Sequence, residues 1–215
     1  MLREIITNEW YTGFIVVSLF ILAITKYTYA TRFGDFLLLI GNSKYLKIYA
    51  RDQKFIDQFD TLLFVNLIIS LSTFTFLSYN TLVAEVAFEI GLFLKLIIGV
   101  GAIILIKILI ERLIGSLFEI DGLIDSYLFQ KTNYKNFIGV LLLPINVLLI
   151  FSITPNATIF YAIFALLFVI NFIGFITSMK THQKTIINNI FYFILYLCAL
   201  EIAPYVILYK LLINS

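Results

Sequence analysis

Six stretches of this chain, residues 10–29, 59–79, 90–110, 137–153, 159–178 and 187–212, are long apolar runs with few charges. A helix needs roughly 20 mostly apolar residues to cross the hydrocarbon core of a bilayer. In that core the backbone must satisfy its own N–H and C=O groups, so such runs take helical form. The spacing predicts an all-α, polytopic membrane helix bundle of six transmembrane helices. Composition points the same way, with 61% hydrophobic and 13% charged residues, against about half and about a quarter in soluble domains. Six spans use up most of the 215 residues, so the chain reads as a single integral membrane domain over residues 1–215. Glu4 and Glu9 against a lone Arg3 argue that the first run is a retained helix rather than a basic-headed signal peptide. Trp10 and Tyr11 would then sit in the interfacial aromatic belt.

Short loops rich in Lys and Arg stay on the cytoplasmic side. Lys26, Arg32, Lys44, Lys47, Arg51 and Lys54 follow the first run, Arg112, Lys131 and Lys135 the third, and Lys180 and Lys184 the fifth. Residues 80–89 hold no Lys or Arg but carry Glu85 and Glu89, and the Thr154-Pro155-Asn156 turn is uncharged. The expected topology has both termini outside, periplasmic in a Gram-negative cell, and the protein in the inner membrane. The net charge of +2 is too small to suggest a nucleic-acid partner.

The stretch after the first run has its own pattern. Ser43 is a candidate N-cap, and Tyr45, Ile48, Tyr49, Phe55, Ile56 and Phe59 recur near helical spacing. Lys44, Lys47, Arg51 and Lys54 are placed to reach anionic lipid headgroups. An amphipathic helix lying in the interface between helices one and two is expected. The run 36–40 is too short to span and should dip into the membrane or pack on the bundle.

A charge at the bilayer centre costs about 2.5 to 3.5 kcal/mol on insertion scales, so it needs a partner or a wet cavity. Glu201 lies near the middle of the sixth run, three residues before Pro204, and Lys95 lies in the third. An intramembrane Lys95–Glu201 ion pair is one expectation; Lys95 reaching outward to Glu85 or Glu89 is the other. Lys107 and Glu111 are four apart on one helix face. With Arg112 they suggest that the third helix continues into the cytosol over 113–128, carrying Glu119, Asp121 and Asp125 on a solvated face. Asn66, Asn146 and Asn171 are expected to bridge helices, helped by Ser70, Ser72, Thr73 and Thr75. Gly99 and Gly101 would admit a neighbour to the third helix, and Pro144 suggests a bend in the fourth.

No catalytic set converges. The chain has one histidine, His182, in a loop, and one cysteine, Cys198, in an apolar run. Neither a protease motif, a phosphate-binding glycine loop nor a metal-ligand cluster accompanies them. A non-enzymatic protein without cofactor or metal is expected.

The layout of apolar runs, the basic first loop and the Glu201-x-x-Pro204 element resemble an uncharacterised domain-of-unknown-function family of bacterial polytopic inner-membrane proteins. That resemblance implies no particular activity. The segment Leu109-Ile110-Glu111-Arg112-Leu113-Ile114-Gly115, followed by Leu143-Pro144, is more weakly similar to the Yip1-type membrane fold. That fold usually has five spans and a cytoplasmic start, unlike the count and orientation expected here.

Two functions fit. The favoured one is an accessory or scaffolding subunit of an inner-membrane complex, concerned with protein export or envelope assembly, with the lipid bilayer and other membrane subunits as partners. The alternative is a small transporter or lipid-handling protein with a polar cavity near Glu201 and Lys95, lined also by Asn146 and Asn171.

Overall fold

The computed structural model describes residues 9–40, 44–49, 57–84, 86–118, 120–153 and 155–181. Among them the chain is helical, without a strand. The helices are α1 (Glu9–Thr28), α2 (Ala30–Leu37), α3 (Lys44–Tyr49), α4 (Gln58–Leu82), α5 (Ile90–Leu117), α6 (Asp121–Phe151) and α7 (Ala157–Thr181). Five of them, α1, α4, α5, α6 and α7, are long and apolar enough to cross a membrane. The sixth expected span, 187–212, lies outside the described residues.

Local chemistry sets several boundaries. Asp57 caps α4, its side chain accepting from the Phe59 N–H at 3.2 Å. Within α4 the hydroxyls of Thr73, Thr75 and Thr81 donate to the carbonyls four residues back, at 2.8 to 3.0 Å. That lets polar side chains sit on a membrane helix with their donors used.

The structure corrects the expected extension of the third helix over 113–128. α5 stops at Leu117, where Phe118 N–H donates to Ile114 O and Ile120 N–H to Gly115 O. A Cβ on Gly115 would stand 2.9 Å from Cβ of Ile124, so the missing side chain lets the next helix fold back closely. The helix that carries the fourth apolar run likewise begins at Asp121, well before residue 137. Of the acidic residues read as a solvated extension, Asp121 and Asp125 belong to this new helix, with Asp121 in its first turn, where a negative charge complements the helix dipole; Glu119 lies outside the described residues.

α4 and α6 form the centre, α1 packs mainly on α4, and α5 and α7 pack on α6. The approach of α6 to α4 is tightest at Gly139, where a Cβ would lie 2.6 Å from the Leu67 Cα. Of the two glycines singled out in the third run, a Cβ on Gly101 would lie 3.2 Å from the Ile68 side chain, whereas one on Gly99 would meet nothing within 4 Å. The main core includes Phe36, Tyr45, Phe59, Leu63, Phe74, Leu142 and Phe160. A second cluster, with Tyr11, Phe76, Phe88 and Phe93 in mutual ring contact, closes the opposite end. Pro144 lies inside α6, which runs through it without interruption.

The segment after α1 also differs from expectation. Tyr45 and Phe59, assigned to the lipid interface, are fully buried in the protein core, while Ile48 is exposed. The Tyr45 ring packs against Phe36 and Phe129, whose aromatic surfaces cover it better than a headgroup layer would. Of run 36–40, Phe36 and Leu39 pack on the bundle while Leu37, Leu38 and Ile40 face outward.

Gly139→Val should force α4 and α6 apart, at a cost of about 1 to 3 kcal/mol or more for overpacking. Thermal unfolding in detergent should show a clearly lowered midpoint, with Gly99→Ala as a near-neutral control. An unchanged midpoint for Gly139→Val would rule out this packing.

Candidate functional site

The alternation of helices brings the last turns of α1 and α5 to the same end as the first turns of α4 and α6. α2 and α3 cover that end, and a layer of polar side chains lies beneath them.

Arg32 on α2 is its centre. Its guanidinium pairs with Asp57 and, at 3.3 Å, with Asp60. It also lies 4.4 Å from the Phe59 ring centroid and 5.0 Å from that of Tyr49, close enough for cation–π attraction. Asp57 therefore both caps α4 and holds α2. Burial works against the Arg32 charge, but the Asp60 and Asp57 carboxylates favour it, and the guanidinium stands above its ordinary range. Tyr45 on α3 donates its hydroxyl to Asn133 Oδ1 on α6 at 3.0 Å. Burial, then the charge of Asp60, pushes that hydroxyl's pKa upward, so it stays a neutral donor. Asn133 donates to the Phe129 carbonyl at 2.9 Å, and Asn136 to the Asp60 carbonyl at 3.4 Å. At the margin Tyr29 donates to Gln58 at 2.9 Å and Tyr49 to Asp35 at 3.3 Å. Three buried atoms in the layer, Arg32 Nε, Asp60 Oδ1 and Asn136 Oδ1, have no hydrogen-bond partner among the described residues.

A second clamp joins α5 to α6. Glu111 is 0% exposed and accepts from Lys131 Nζ at 2.6 Å. Lys131 also lies 5.5 Å from the Tyr127 ring centroid. Glu111 thus pairs with a lysine 20 residues away on the next helix. Asp125 faces Arg112 at 3.5 Å on the half-exposed rim rather than standing alone on a solvated face.

The family profile of a domain of unknown function, DUF4271, matches residues 11–212, from the first turns of α1 past the last described helix. The chain belongs to the DUF4271 family. No curated protein and no solved structure matches it.

In this DUF4271 chain the residues singled out by sequence fall in different places. Asn146 on α6 donates to the Ser70 carbonyl on α4 at 2.8 Å and so joins two helices. Asn66 is buried, and its amide has no hydrogen-bond partner among the described residues. Asn171 is exposed and donates to Leu167 O of its own helix at 2.9 Å, so that donor is spent within one turn. Lys95 lies on the exposed surface of α5, and Glu201 lies outside the described residues. Lys44 and Lys47 fall within α3, while Arg51 and Lys54 are outside the described residues. Sequence reasoning missed Arg32, Asp57, Asp60, Tyr45, Asn133, Asn136 and the Glu111–Lys131 pair as a site. The signal for part of it was Gln130, Asn133 and Asn136, polar residues three apart along one face of α6.

Chemically this arrangement holds helices by paired charges and amides. Lys131→Met should leave the Glu111 carboxylate buried without its counter-charge and lower stability by about 3 to 5 kcal/mol. Glu111→Leu with Lys131→Met should recover most of that loss in a denaturant titration. A double variant no better than the single one would refute a buried pair.

Proposed function

We propose that this DUF4271 protein is a non-enzymatic accessory or scaffolding subunit of a bacterial inner-membrane complex. The observation that carries the reading is that polar side chains tie neighbouring helices to one another. Asn146 ties α6 to α4, Glu111 ties α5 to α6, and the gap between α1, α4 and α6 at Ser18, Ser70 and Asn146 has a volume of only about 10 Å³. That gap has room for about one water molecule, while a wider space of about 770 Å³ lies beside the α4–α5 connection, lined by Asn80, Thr81 and Pro155 among others. Outward, α5 presents Ile98, Ile103, Leu113 and Leu117, each more than 60% exposed, an apolar face suited to lipid or to another membrane subunit.

The finer features belong to the same proposal. The basic loops face the cytoplasm and both termini face outward, with Lys44, Lys47, Arg51 and Lys54 near anionic headgroups and an amphipathic segment between the first two spans. A sixth span over 187–212 completes the bundle, and Lys95 on the outer surface of α5 pairs with Glu201.

Purification in mild detergent, with mass spectrometry of the co-eluting material, tests the function. A stoichiometric membrane partner is the expected result, and a solitary monodisperse protein would count decisively against it. A periplasmic reporter fused after Ser215 should be active; cytoplasmic activity would reverse the topology. Lys95→Glu and Glu201→Lys should each impair accumulation and restore it when combined, and failure of the double exchange to rescue would exclude the pair.

A further inference from the structure

The small cavity between α1, α4 and α6 lies near the middle of α1 and α4, at Ser18 and Ser70, and α6 reaches it through Asn146. All three side chains are at least 97% buried, and each carries an atom without a hydrogen-bond partner among the described residues: Ser18 Oγ, Ser70 Oγ and Asn146 Oδ1. The remaining walls include Phe14, Ile69 and Leu143. Buried polar atoms are rarely left unpaired, and three on one cavity call for an explanation.

We propose that this cavity is a binding site for a single water molecule, held by Ser18, Ser70 and Asn146, which joins α1 to the α4–α6 pair at membrane depth. The size fits, since about 10 Å³ of room for a water-sized centre is close to the least that accommodates one. The hydrogen-bond inventory fits as well. The amide oxygen of Asn146, which carries no proton, can only accept, and its nitrogen already donates to the Ser70 carbonyl. A serine hydroxyl can donate or accept. A water that donates to Asn146 Oδ1 and to one serine, and accepts from the other, satisfies all three atoms, and buried waters typically make about three bonds. Thr73, also on the wall, spends its hydroxyl proton on Ile69 O at 2.9 Å. A bare metal cation fits poorly, because no carboxylate lines the cavity and an uncompensated charge at this depth is costly.

The test is X-ray hydroxyl-radical footprinting of the full chain in nanodiscs, with ¹⁸O-labelled water. Radicals form where water is held, so Leu143, only 6% exposed, should be oxidised in the wild type. Ser18→Val fills the space with apolar methyls and should lower that labelling several-fold. Labelling of Trp10, 54% exposed, should stay unchanged and so report a folded variant. An unlabelled Leu143 in the wild type would show a dry cavity and overturn the proposal, whether or not Ser18→Val folds. Undiminished labelling in a folded Ser18→Val would overturn it too. So would a rise in melting temperature specific to sodium over potassium and choline, which would assign the site to a cation.

Discussion

The contact between α4 and α6 is the one on which the remaining helices depend. In a bilayer, lipid tails are as apolar as leucine, so helices associate through close packing and interhelical hydrogen bonds rather than through a hydrophobic drive. At Gly139 the two backbones come close enough that even a methyl group would collide with the Leu67 Cα. On one side of that point Asn136 reaches the Asp60 carbonyl, and on the other Asn146 reaches the Ser70 carbonyl. Both residue numbers rise together along the two helices, which therefore run parallel. α1 lies against this pair, and α5 and α7 take their places on α6.

The polar layer under α2 and α3 adds specificity to that framework. Buried ion pairs rarely stabilise a fold beyond what apolar residues of equal volume would achieve, because desolvation offsets the attraction. Their directional bonds instead discriminate among arrangements. Arg32 accepts one placement of α2 over the start of α4, where Asp57, Asp60 and Phe59 converge on it. Tyr45 does the same for α3, because its hydroxyl meets Asn133 while its ring fills the space beside Phe36. Around Tyr45 the buried aromatic side faces protein, while Ile48 is exposed.

Run length located the five long helices of the structure, since bilayer thickness acts on each segment separately and leaves its trace in local sequence. The start of α6 was hidden for the converse reason. Its first half carries Asp125, Gln130, Lys131, Asn133 and Asn136, which lower its hydropathy to that of a loop, although Gln130, Asn133 and Asn136 are buried against neighbouring helices. Hydropathy cannot distinguish a polar residue facing protein from one facing water. The site was less legible still. Asn146 could be singled out as a polar residue in a span, but the pairing of Arg32 with Asp57 and Asp60, or of Glu111 with Lys131, depends on which helices become neighbours.

The Glu111–Lys131 pair also bears on how the chain enters a membrane. α5 ends only a few residues before α6 begins, and its buried carboxylate is neutralised by a cation that is synthesised 20 residues later. Until that lysine emerges from the ribosome, releasing α5 into lipid alone would expose the Glu111 carboxylate without its partner on the next helix, which is unfavourable in an apolar surrounding. The closely folded turn at Gly115 and Ile124 keeps the two helices together. The α5–α6 hairpin is therefore favoured as one unit of insertion, its order of assembly written into the placement of two opposite charges.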